Sequence, residues 1–431
     1  MSPSFVLVVG AGPSGLLLAL MLGQQGIPVR LLEAADALDD RPRATHYAPA
    51  AVQELRRAGI LEEMKAEGSF IPNGACWRKL NGEILAGLPQ STDPDQNPTP
   101  LTCLPLNQLN MVLQRNIAKL PQVELLYSHK VTGLGQDDTT AWVHVDTPDG
   151  AKTLEARYIV ACDGASSQIR RSLFGDWEFP GFTWDKQIVA TNTYYPFEKH
   201  GFDWDSNFII DPEHWFMAAR ISNDGLWRVT YGEVGGLSVE ELQARQPAKF
   251  KAFLPGHPEP SDYKIVNFSP YKVHQRLAKK MRVGRFLLAA DAAHRKCPSL
   301  CLLAPSCTAP AYLTQMNLRL VCNPFGGLGL TCGIVDVGGL FDCLAGIYSG
   351  QADEDILDIY DSVRRSKYNT IVNPTSSGNI RLLFEQNPET ALQDSDFLRA
   401  CKAAETDPAV TEKLAKAAER LQYDFTQHYR A

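Results

Sequence analysis

The chain has 431 residues, of which 44% are hydrophobic and 21% charged, and its net charge is −7. That length predicts two or three domains' worth of core, and the acidic balance argues against general nucleic-acid binding. No apolar run reaches the roughly 18 residues of a membrane span, and no cationic region precedes Phe5 as in a signal peptide. Ten cysteines occur without a C-x-x-C pair, which favours free thiols in a reducing cytosol. We therefore expect a cytoplasmic protein with no membrane span and no nucleic-acid partner.

The first 33 residues form the most informative pattern in the chain. An apolar run at 5–9 is followed by a G-x-G-x-x-G motif at 10–15, an apolar stretch at 16–22 and a short run that ends on Glu33. This order predicts strand, glycine turn, helix, strand and acid, as in a dinucleotide site. The helix start would face a pyrophosphate, and Glu33 would accept hydrogen bonds from a ribose. The alternative is a glycine-rich turn in an ordinary α/β unit.

Hydrophobic periodicity divides the chain into predicted elements. Helices are expected at 49–66, 105–119, 238–252, 334–347, 354–383 and 407–428. Strands are expected at 75–79, 83–86, 123–132, 140–146, 158–163, 187–195, 207–211, 214–221, 226–232, 263–273 and 284–291. The aromatic-rich block within 186–232 is typical of sheet core, and it would also suit a pocket for a flat apolar ligand.

Four ordered segments, at 10–33, 162–170, 284–294 and 323–331, resemble one family. This is the FAD-dependent aromatic hydroxylases, the group A flavoprotein monooxygenases with the p-hydroxybenzoate hydroxylase fold. The resemblance implies an α/β fold with a Rossmann-like FAD-binding domain of the GR2 type, an interleaved β-sheet substrate domain and C-terminal helices. The implied ranges are 1–70, 100–180 and 275–350 for the FAD-binding domain, 71–99 and 181–274 for the substrate domain, and 351–431 for the C-terminal helices, which could form a homodimer contact.

The resemblance also implies the chemistry. In this family NAD(P)H reduces FAD, O2 adds to form a C4a-hydroperoxyflavin, and an electron-rich ring is hydroxylated. The substrate would be a phenolic or polyketide-type aromatic, in secondary metabolism or aromatic catabolism. Because only one full G-x-G-x-x-G is present, NAD(P)H would be a transient donor without its own Rossmann domain. Two alternatives stay open: an FAD-binding but catalytically impaired product, or another flavoenzyme such as a halogenase or dehydrogenase on the same fold.

Site residues follow from the resemblance by position. The implied cofactor-binding residues are Gly10, Gly12, Ser14, Gly15, Glu33, Arg43, Asp163, Gly164, Asp291, Pro324, Gly326, Gly327 and Gly329. The candidate catalytic residues are Pro324, His46 and Tyr231, and the candidate substrate residues are Tyr47, Trp215, Arg220 and Tyr231. Most side chains of these types simply pack or cap, so each substrate candidate competes with a structural role. No metal site is expected.

The chain departs from the family pattern at Ala290, where glycine is usual, at Leu106, where glutamine is common, and at Cys332, where a second glycine would be common. The largest departure is an insert at 295–321, whose cysteines fit no standard zinc spacing.

One hypothesis for the insert is a retained intron. Codons 295–297 can contain a splice donor and codons 320–321 an acceptor, and their joining restores the family pattern. The alternative is a genuine surface loop, which costs little entropy. Transcripts that all keep these codons would exclude the intron.

Overall fold

Two large β-sheets organise the chain, and the computed structural model describes residues 4–40, 44–93, 97–176, 178–295 and 328–430. The strands are β1 (Ser4–Val9), β2 (Val29–Leu32), β3 (His46–Tyr47), β4 (Gly74–Lys79), β5 (Ile84–Pro89), β6 (Thr102–Cys103), β7 (Val123–Leu126), β8 (Lys130–Gln136), β9 (Ala141–Thr147), β10 (Gly150–Ala161), β11 (Gly181–Tyr194), β12 (Ser206–Ile210), β13 (Phe216–Arg220), β14 (Leu226–Glu233), β15 (Lys264–Leu277), β16 (Arg282–Val283), β17 (Phe286–Leu288) and β18 (His294–Arg295).

Helices cover the sheets and form the C-terminal region. The α-helices are α1 (Pro13–Gln24), α2 (Pro49–Arg57), α3 (Leu61–Ala66), α4 (Leu106–Ile117), α5 (Gln168–Phe174), α6 (Val239–Phe253), α7 (Leu328–Tyr348), α8 (Ile356–Lys367), α9 (Asn373–Phe384), α10 (Ala391–Asp394), α11 (Asp396–Ala404) and α12 (Pro408–Glu419). A π-helix at Tyr368–Val372 joins α8 to α9, and 3-10 helices occur at Phe197–His200, Ala290–Ala292 and Phe425–His428.

The first sheet gathers the predicted motifs at one edge. Its order is β16-β17-β10-β1-β2-β7, with β9 paired to β10 and β8 paired to β9. Strands β17, β10, β1, β2 and β7 run parallel to one another, whereas β16 and β9 pair antiparallel with β17 and β10. Val9 is level with Ala161 and Leu32, and Ala161 is level with Leu288. The carboxyl ends of these strands therefore meet at one edge, which is where α/β sheets bind ligands.

The second sheet has the order β18-β15-β11-β14-β13-β12-β4-β5. One face forms an aromatic core with α6, and α9, α10 and α11 pack on the other. Strand β3 lies apart from both sheets, paired with β6. The domain boundaries and the homodimer contact stay predictions.

Some predicted element boundaries are wrong. A single helix at 49–66 is replaced by α2 and α3, because Gly59 has φ +73° and ends the first helix. A strand at 123–132 is broken at Ser128, whose φ is +55°. The helix predicted to reach 428 ends at Glu419, and the carbonyl oxygens of Arg420 and Leu421 instead accept hydrogen bonds from side chains of α8.

Candidate active site

The glycine turn between β1 and α1 uses its three glycines in three ways. Gly10 has φ +102°, and a Cβ there would lie 2.5 Å from the carbonyl oxygen of Cys162, so the position requires glycine. A Cβ on Gly15 would overlap the Gly10 carbonyl oxygen, so α1 packs directly on the turn. Apart from its chain neighbours, no described residue has an atom within 4 Å of a Cβ built on Gly12. The turn thus leaves open space at the start of α1, where a pyrophosphate would meet backbone N–H groups.

Glu33, which follows β2, is bonded to this turn. One of its carboxylate oxygens accepts the N–H of Ala11 and the other accepts the N–H of Ala35, each at 2.9 Å. Each oxygen has a further lone pair, so Glu33 can order the turn and also accept a ribose hydroxyl. Ser14 lies in the first turn of α1 and is buried.

Asp163 and Gly164 follow β10 at the same edge. The Oδ2 atom of Asp163 accepts the N–H groups of Gln168 (2.7 Å) and Ile169 (3.2 Å), which caps α5. The Oδ1 atom is buried without a hydrogen-bond partner among the described residues, and burial raises the pKa of this carboxyl. An unsatisfied buried acceptor is costly, so Oδ1 fits a hydrogen-bond donor of a bound cofactor.

Arg170 connects that loop to the turn after β17. Its buried guanidinium donates to the carbonyl oxygens of Ala165 (3.0 Å) and Ala292 (3.1 Å), and it lies over the ring of Phe179. Asp291 occupies the middle of the 3-10 helix that Arg170 contacts. Arg170 ends the segment 162–170 that carries the family resemblance, but the sequence did not identify it as the link between the Asp163 and Asp291 segments.

Ala290 adopts a conformation that favours glycine. Its φ is +55°, a left-handed value that costs an ordinary residue roughly 1–2 kcal/mol. Its N–H donates to Oδ2 of Asp336 at 3.1 Å. A Cβ on Gly333 of α7 would lie 2.7 Å from the Cβ of Ala290, so α7 approaches this turn closely. The family departure at Ala290 therefore places strain beside Asp291.

We expect Ala290→Gly to raise the free energy of unfolding by about 0.5–1 kcal/mol, because relief of the left-handed strain exceeds the added entropy of glycine in the unfolded chain. Urea unfolding of the FAD-free protein measures this change. Ala293→Gly is the matched control, since Ala293 has an ordinary φ of −88° and should lose stability. Equal losses in both variants would show that Ala290 is not strained.

His46 and Tyr47 form β3, and each has a buried polar atom without a partner among the described residues: Nε2 of His46 and Oη of Tyr47. Nδ1 of His46 lies 2.8 Å from Oγ1 of Thr45. Burial, and then the positive charge of Arg228, lower the pKa of His46 to about 4. The imidazole is therefore neutral at pH 7.

Arg228 and Tyr271 lie on one face of the second sheet, because their partners on β11, Asn192 and Ile188, are four residues apart. The guanidinium of Arg228 donates two hydrogen bonds, at 3.0 and 2.9 Å, to Oδ1 of Asn192. Burial lowers the pKa of Arg228 to about 10, so it stays charged at pH 7. The Oη of Tyr271 is buried without a described partner. Sequence reasoning missed both residues, although a charge inside an apolar strand was a visible signal for Arg228.

Tyr231 is not brought together with His46. It pairs with Val189 and therefore lies on the sheet face opposite Arg228. Its ring packs against Phe250 and Phe253 of α6, with centroids 5.8 and 5.2 Å apart. These contacts favour a structural role.

The two other substrate candidates also make structural contacts. Trp215 is buried and lies so close to Gly232 that a Cβ there would overlap its ring. Arg220 is half-buried, forms an ion pair with Asp205 (3.5 Å) and lies over Phe70. These contacts favour structural roles for both side chains, and their part in substrate binding stays a prediction.

We expect Tyr231→Phe to change kcat/KM by less than about twofold, because it removes only a buried hydroxyl that has no described partner. Tyr271→Phe is the matched change on the other face and should lower kcat/KM for the substrate. Steady-state kinetics compares the two. A larger loss in the Tyr231 variant would restore Tyr231 as a substrate residue.

Several predicted residues lie outside the described part of the chain. These are Arg43, Pro324, Gly326 and Gly327, together with residues 296–321 of the insert. Gly329 is described and lies buried in the first turn of α7. The choice between a retained intron and a surface loop therefore stays open.

Helix α7 is the one described helix that is long and apolar enough to cross a membrane. However, 83% of its most apolar window is buried inside the protein. This burial is typical of a core helix, and α7 packs against α1, α2 and α8.

Comparison with known proteins identifies the family. The FAD binding domain family matches residues 4–302. Para-nitrophenol 4-monooxygenase of Pseudomonas sp. (strain WBC-3) is 35% identical over 417 residues, which cover 96% of this chain and 95% of that protein. 6-Hydroxy-3-succinoylpyridine 3-monooxygenase HspB of Pseudomonas putida (strain DSM 28022 / S16) is 33% identical over 389 residues, covering 90% and 91% of the two chains.

A solved structure agrees with these relatives. The p-nitrophenol 4-monooxygenase PnpA from Pseudomonas putida DLL-E4 superposes with a TM-score of 0.85 at 33% identity, covering 97% of this chain and 98% of that chain. The predicted α/β fold, the FAD cofactor and the monooxygenase class are confirmed, while the roles of individual residues stay predictions. The chain belongs to the FAD-dependent aromatic monooxygenases.

Proposed function

We propose that this monooxygenase uses NAD(P)H to hydroxylate a single-ring phenol, in aromatic catabolism rather than secondary metabolism. The two relatives described above, each more than 30% identical, are named for a nitrophenol and a hydroxypyridine derivative. The structures named for larger polyketide-type substrates share 23% identity or less and support the fold alone. A small ring that carries a hydroxyl group is therefore the favoured substrate class.

The observation that carries this proposal is the buried polar group formed by His46, Arg228 and Tyr271. Arg228 and Tyr271 lie on one face of the second sheet, and the charge of Arg228 lowers the pKa of His46, so we assign the three side chains to one site. Two of them present buried atoms that have no hydrogen-bond partner in the described part of the chain, Nε2 of His46 and Oη of Tyr271. A buried cation next to unsatisfied polar atoms suits a flat ligand with an anionic oxygen.

Each residue would have a defined task. Arg228 would hold the phenolate or an anionic para substituent with charge-assisted hydrogen bonds. The pKa of His46 is about 4, so its imidazole is a weak base. Its Nε2 would orient the substrate ring by donating or accepting one hydrogen bond. Tyr271 would contribute a third polar contact, and burial would exclude water. Bound FAD would supply electron transfer from NAD(P)H and the activation of O2.

The cofactor would lie along the edge of the first sheet. Gly12 and the start of α1 would receive the pyrophosphate, Glu33 the ribose, and Asp163 and Asp291 polar groups farther along the molecule. The open space at Gly12 and the unsatisfied Oδ1 of Asp163 support this path. Gly10 and Gly15 would shape the turn rather than contact the cofactor.

A panel of phenols tests the proposal. FAD-loaded protein is mixed with NADH or NADPH and with 4-nitrophenol, 4-hydroxybenzoate, unsubstituted phenol or a multi-ring polyketide phenol, and the rate of nicotinamide oxidation is measured. We expect the largest stimulation from a single-ring phenol whose para substituent withdraws electrons and thereby favours the anion. Stimulation by the multi-ring phenol alone would refute the substrate class. Bound FAD with no stimulation by any phenol would support the impaired-product alternative.

A further inference from the structure

A cluster of charged side chains is buried where α7, α8 and the turn after β17 meet. It consists of Asp336 on α7, Arg364 on α8 and His294 in β18, whose residues are at most 3% exposed. Charged residues are rarely buried to this extent unless they are paired. The cluster is not part of the substrate group around Arg228.

Asp336 holds the cluster together. Its Oδ1 accepts Nε of Arg364 at 2.7 Å, and its Oδ2 lies 2.7 Å from Nε2 of His294 and accepts the N–H of Ala290 at 3.1 Å. Burial opposes ionisation of Asp336, but Arg364 and His294 outweigh it and hold the pKa of the carboxyl below its usual value. Arg364 also donates to the carbonyl oxygen of Leu421 at 2.7 Å, so the cluster joins four parts of the chain: α7, α8, the segment 290–294 and the residues after α12.

The same cluster could suggest a metal site, because ligand atoms of His294, Cys332 and Asp336 lie within 4.8 Å of one another. Arg364 argues against it. Its guanidinium contacts Asp336 and lies 3.5 Å from Sγ of Cys332. A fixed cation already occupies this position and would repel a metal ion. The carboxylate is instead shared by Arg364, His294 and the backbone N–H of Ala290, and Sγ of Cys332 lies 3.9 Å from its Oδ1.

The backbone N–H is the informative contact, because it belongs to Ala290. A non-glycine residue in the left-handed conformation persists only when its surroundings hold it there. The hydrogen bond to Asp336 is one constraint on this conformation, and the close packing of Gly333 against Ala290 is another. The next residue after Ala290 is Asp291, the acid assigned to the cofactor. Asp336 thus fixes the backbone on which Asp291 is carried.

Helix α7 also touches the other parts of the site. A Cβ on Gly333 would lie 3.5 Å from Oγ of Ser14, in the glycine turn. Oγ1 of Thr331 accepts the N–H of Ala48, directly after β3, at 3.3 Å. One helix therefore supports the glycine turn, the Asp291 turn and the strand that carries His46.

We propose that Asp336 is a positioning residue for the cofactor, which holds the strained Ala290–Asp291 turn in the geometry that binds FAD. The proposal rests on the assignment of Asp291 to FAD and is independent of the phenol. Asp336 affects FAD affinity indirectly, because it holds the conformation of Ala290. Arg364 and His294 keep the carboxylate of Asp336 ionised.

The test measures FAD affinity of the full chain by titrating FAD-free protein and following flavin fluorescence, with neither NAD(P)H nor phenol present. We expect D336N to weaken FAD binding by about tenfold, and A290G to recover about threefold of this loss in the D336N background, because glycine adopts the turn without the carboxylate. D342N is the matched control: Asp342 is also buried on α7 and paired, with Arg57, but does not contact the turn. Its effect on FAD affinity should be below about twofold, and A290G should not alter that effect.

The rescue separates positioning from general destabilisation. D336N that folds, as judged by circular dichroism, and binds FAD like the parent protein would overturn the proposal, as would a double variant with no recovery. If D336N does not fold, the double variant D336N/R364M, which removes both charges of the ion pair, takes its place. Addition of A290G to D336N/R364M must then recover FAD affinity by about the same factor. Loss of phenol hydroxylation with unchanged FAD affinity would count against the substrate proposal and not against this one.

Discussion

Replacing Arg228 with methionine is expected to weaken binding of 4-nitrophenolate by roughly 10- to 100-fold, the equivalent of a lost hydrogen bond to a charged group at about 1.5–3 kcal/mol. Methionine keeps a long flexible side chain, so packing on the sheet changes little. The charge disappears, and with it the complement to an anionic ring oxygen. FAD affinity should be unchanged. The dissociation constant follows from the change in flavin absorption on titration with the phenol.

Arg220→Met is the matched control for this prediction. Arg220 lies on the neighbouring strand, but it is paired with Asp205 and its β14 partner is Trp227, on the face opposite Arg228. We expect it to alter phenol binding by less than about twofold, because Arg220 lies on the other face of the sheet from Arg228. A greater loss in R220M than in R228M would favour Arg220 as the substrate cation and reject the proposed group.

Gly15→Ala is expected to lower the free energy of unfolding by about 1–3 kcal/mol and to abolish FAD binding at micromolar concentration, because overpacking forces α1 away from β1. The new methyl group would overlap the carbonyl oxygen of Gly10. Thermal unfolding of the FAD-free protein reports the first effect, and flavin fluorescence titration reports the second.

Gly12→Ala distinguishes an effect on FAD binding from an effect on the stability of the fold. Gly12 has an ordinary φ of −73°, and apart from its chain neighbours no described residue has an atom within 4 Å of the added Cβ, so the FAD-free protein should keep its stability. The methyl group would enter the space assigned to the pyrophosphate, and FAD affinity should fall by about tenfold or more, which corresponds to 1.4 kcal/mol. Unchanged FAD affinity in this variant would mean that the pyrophosphate lies elsewhere.

The sheet edge that we assign to the cofactor was predictable from sequence because its signals are local. The turn at Gly10 to Gly15 follows directly from the spacing of a strand, three glycines and a helix. Asp163 and Asp291 each end a buried apolar run, and parallel strands bring such ends together. The sequence pattern therefore predicted which residues share the edge, without any knowledge of long-range pairing.

The substrate side was less predictable because it depends on strand register. Alternation along β14 separates Arg228 from Tyr231, but only the tertiary structure shows which face packs on α6 and which carries Arg228, whose charge acts on His46. Tyr231 was predicted as a site residue because it is an aromatic residue in a predicted strand. The sequence does not show which face of the sheet its side chain occupies. The Asp336 cluster was missed for a related reason. Arg364 and His294 lie 28 and 42 residues from Asp336 in sequence, and the hydrophobic pattern of a helix does not indicate a buried carboxylate.

Isotope labelling tests the central claim most directly. The purified chain is loaded with FAD and supplied with NADPH, 4-nitrophenol and ¹⁸O2, and the aromatic product is analysed by mass spectrometry. If the chain is a single-ring phenol hydroxylase, the product gains one ¹⁸O atom and its amount rises with NADPH consumption. NADPH oxidation by the flavin-loaded protein that yields only hydrogen peroxide, with no ¹⁸O in this or any other single-ring phenol, would contradict the account.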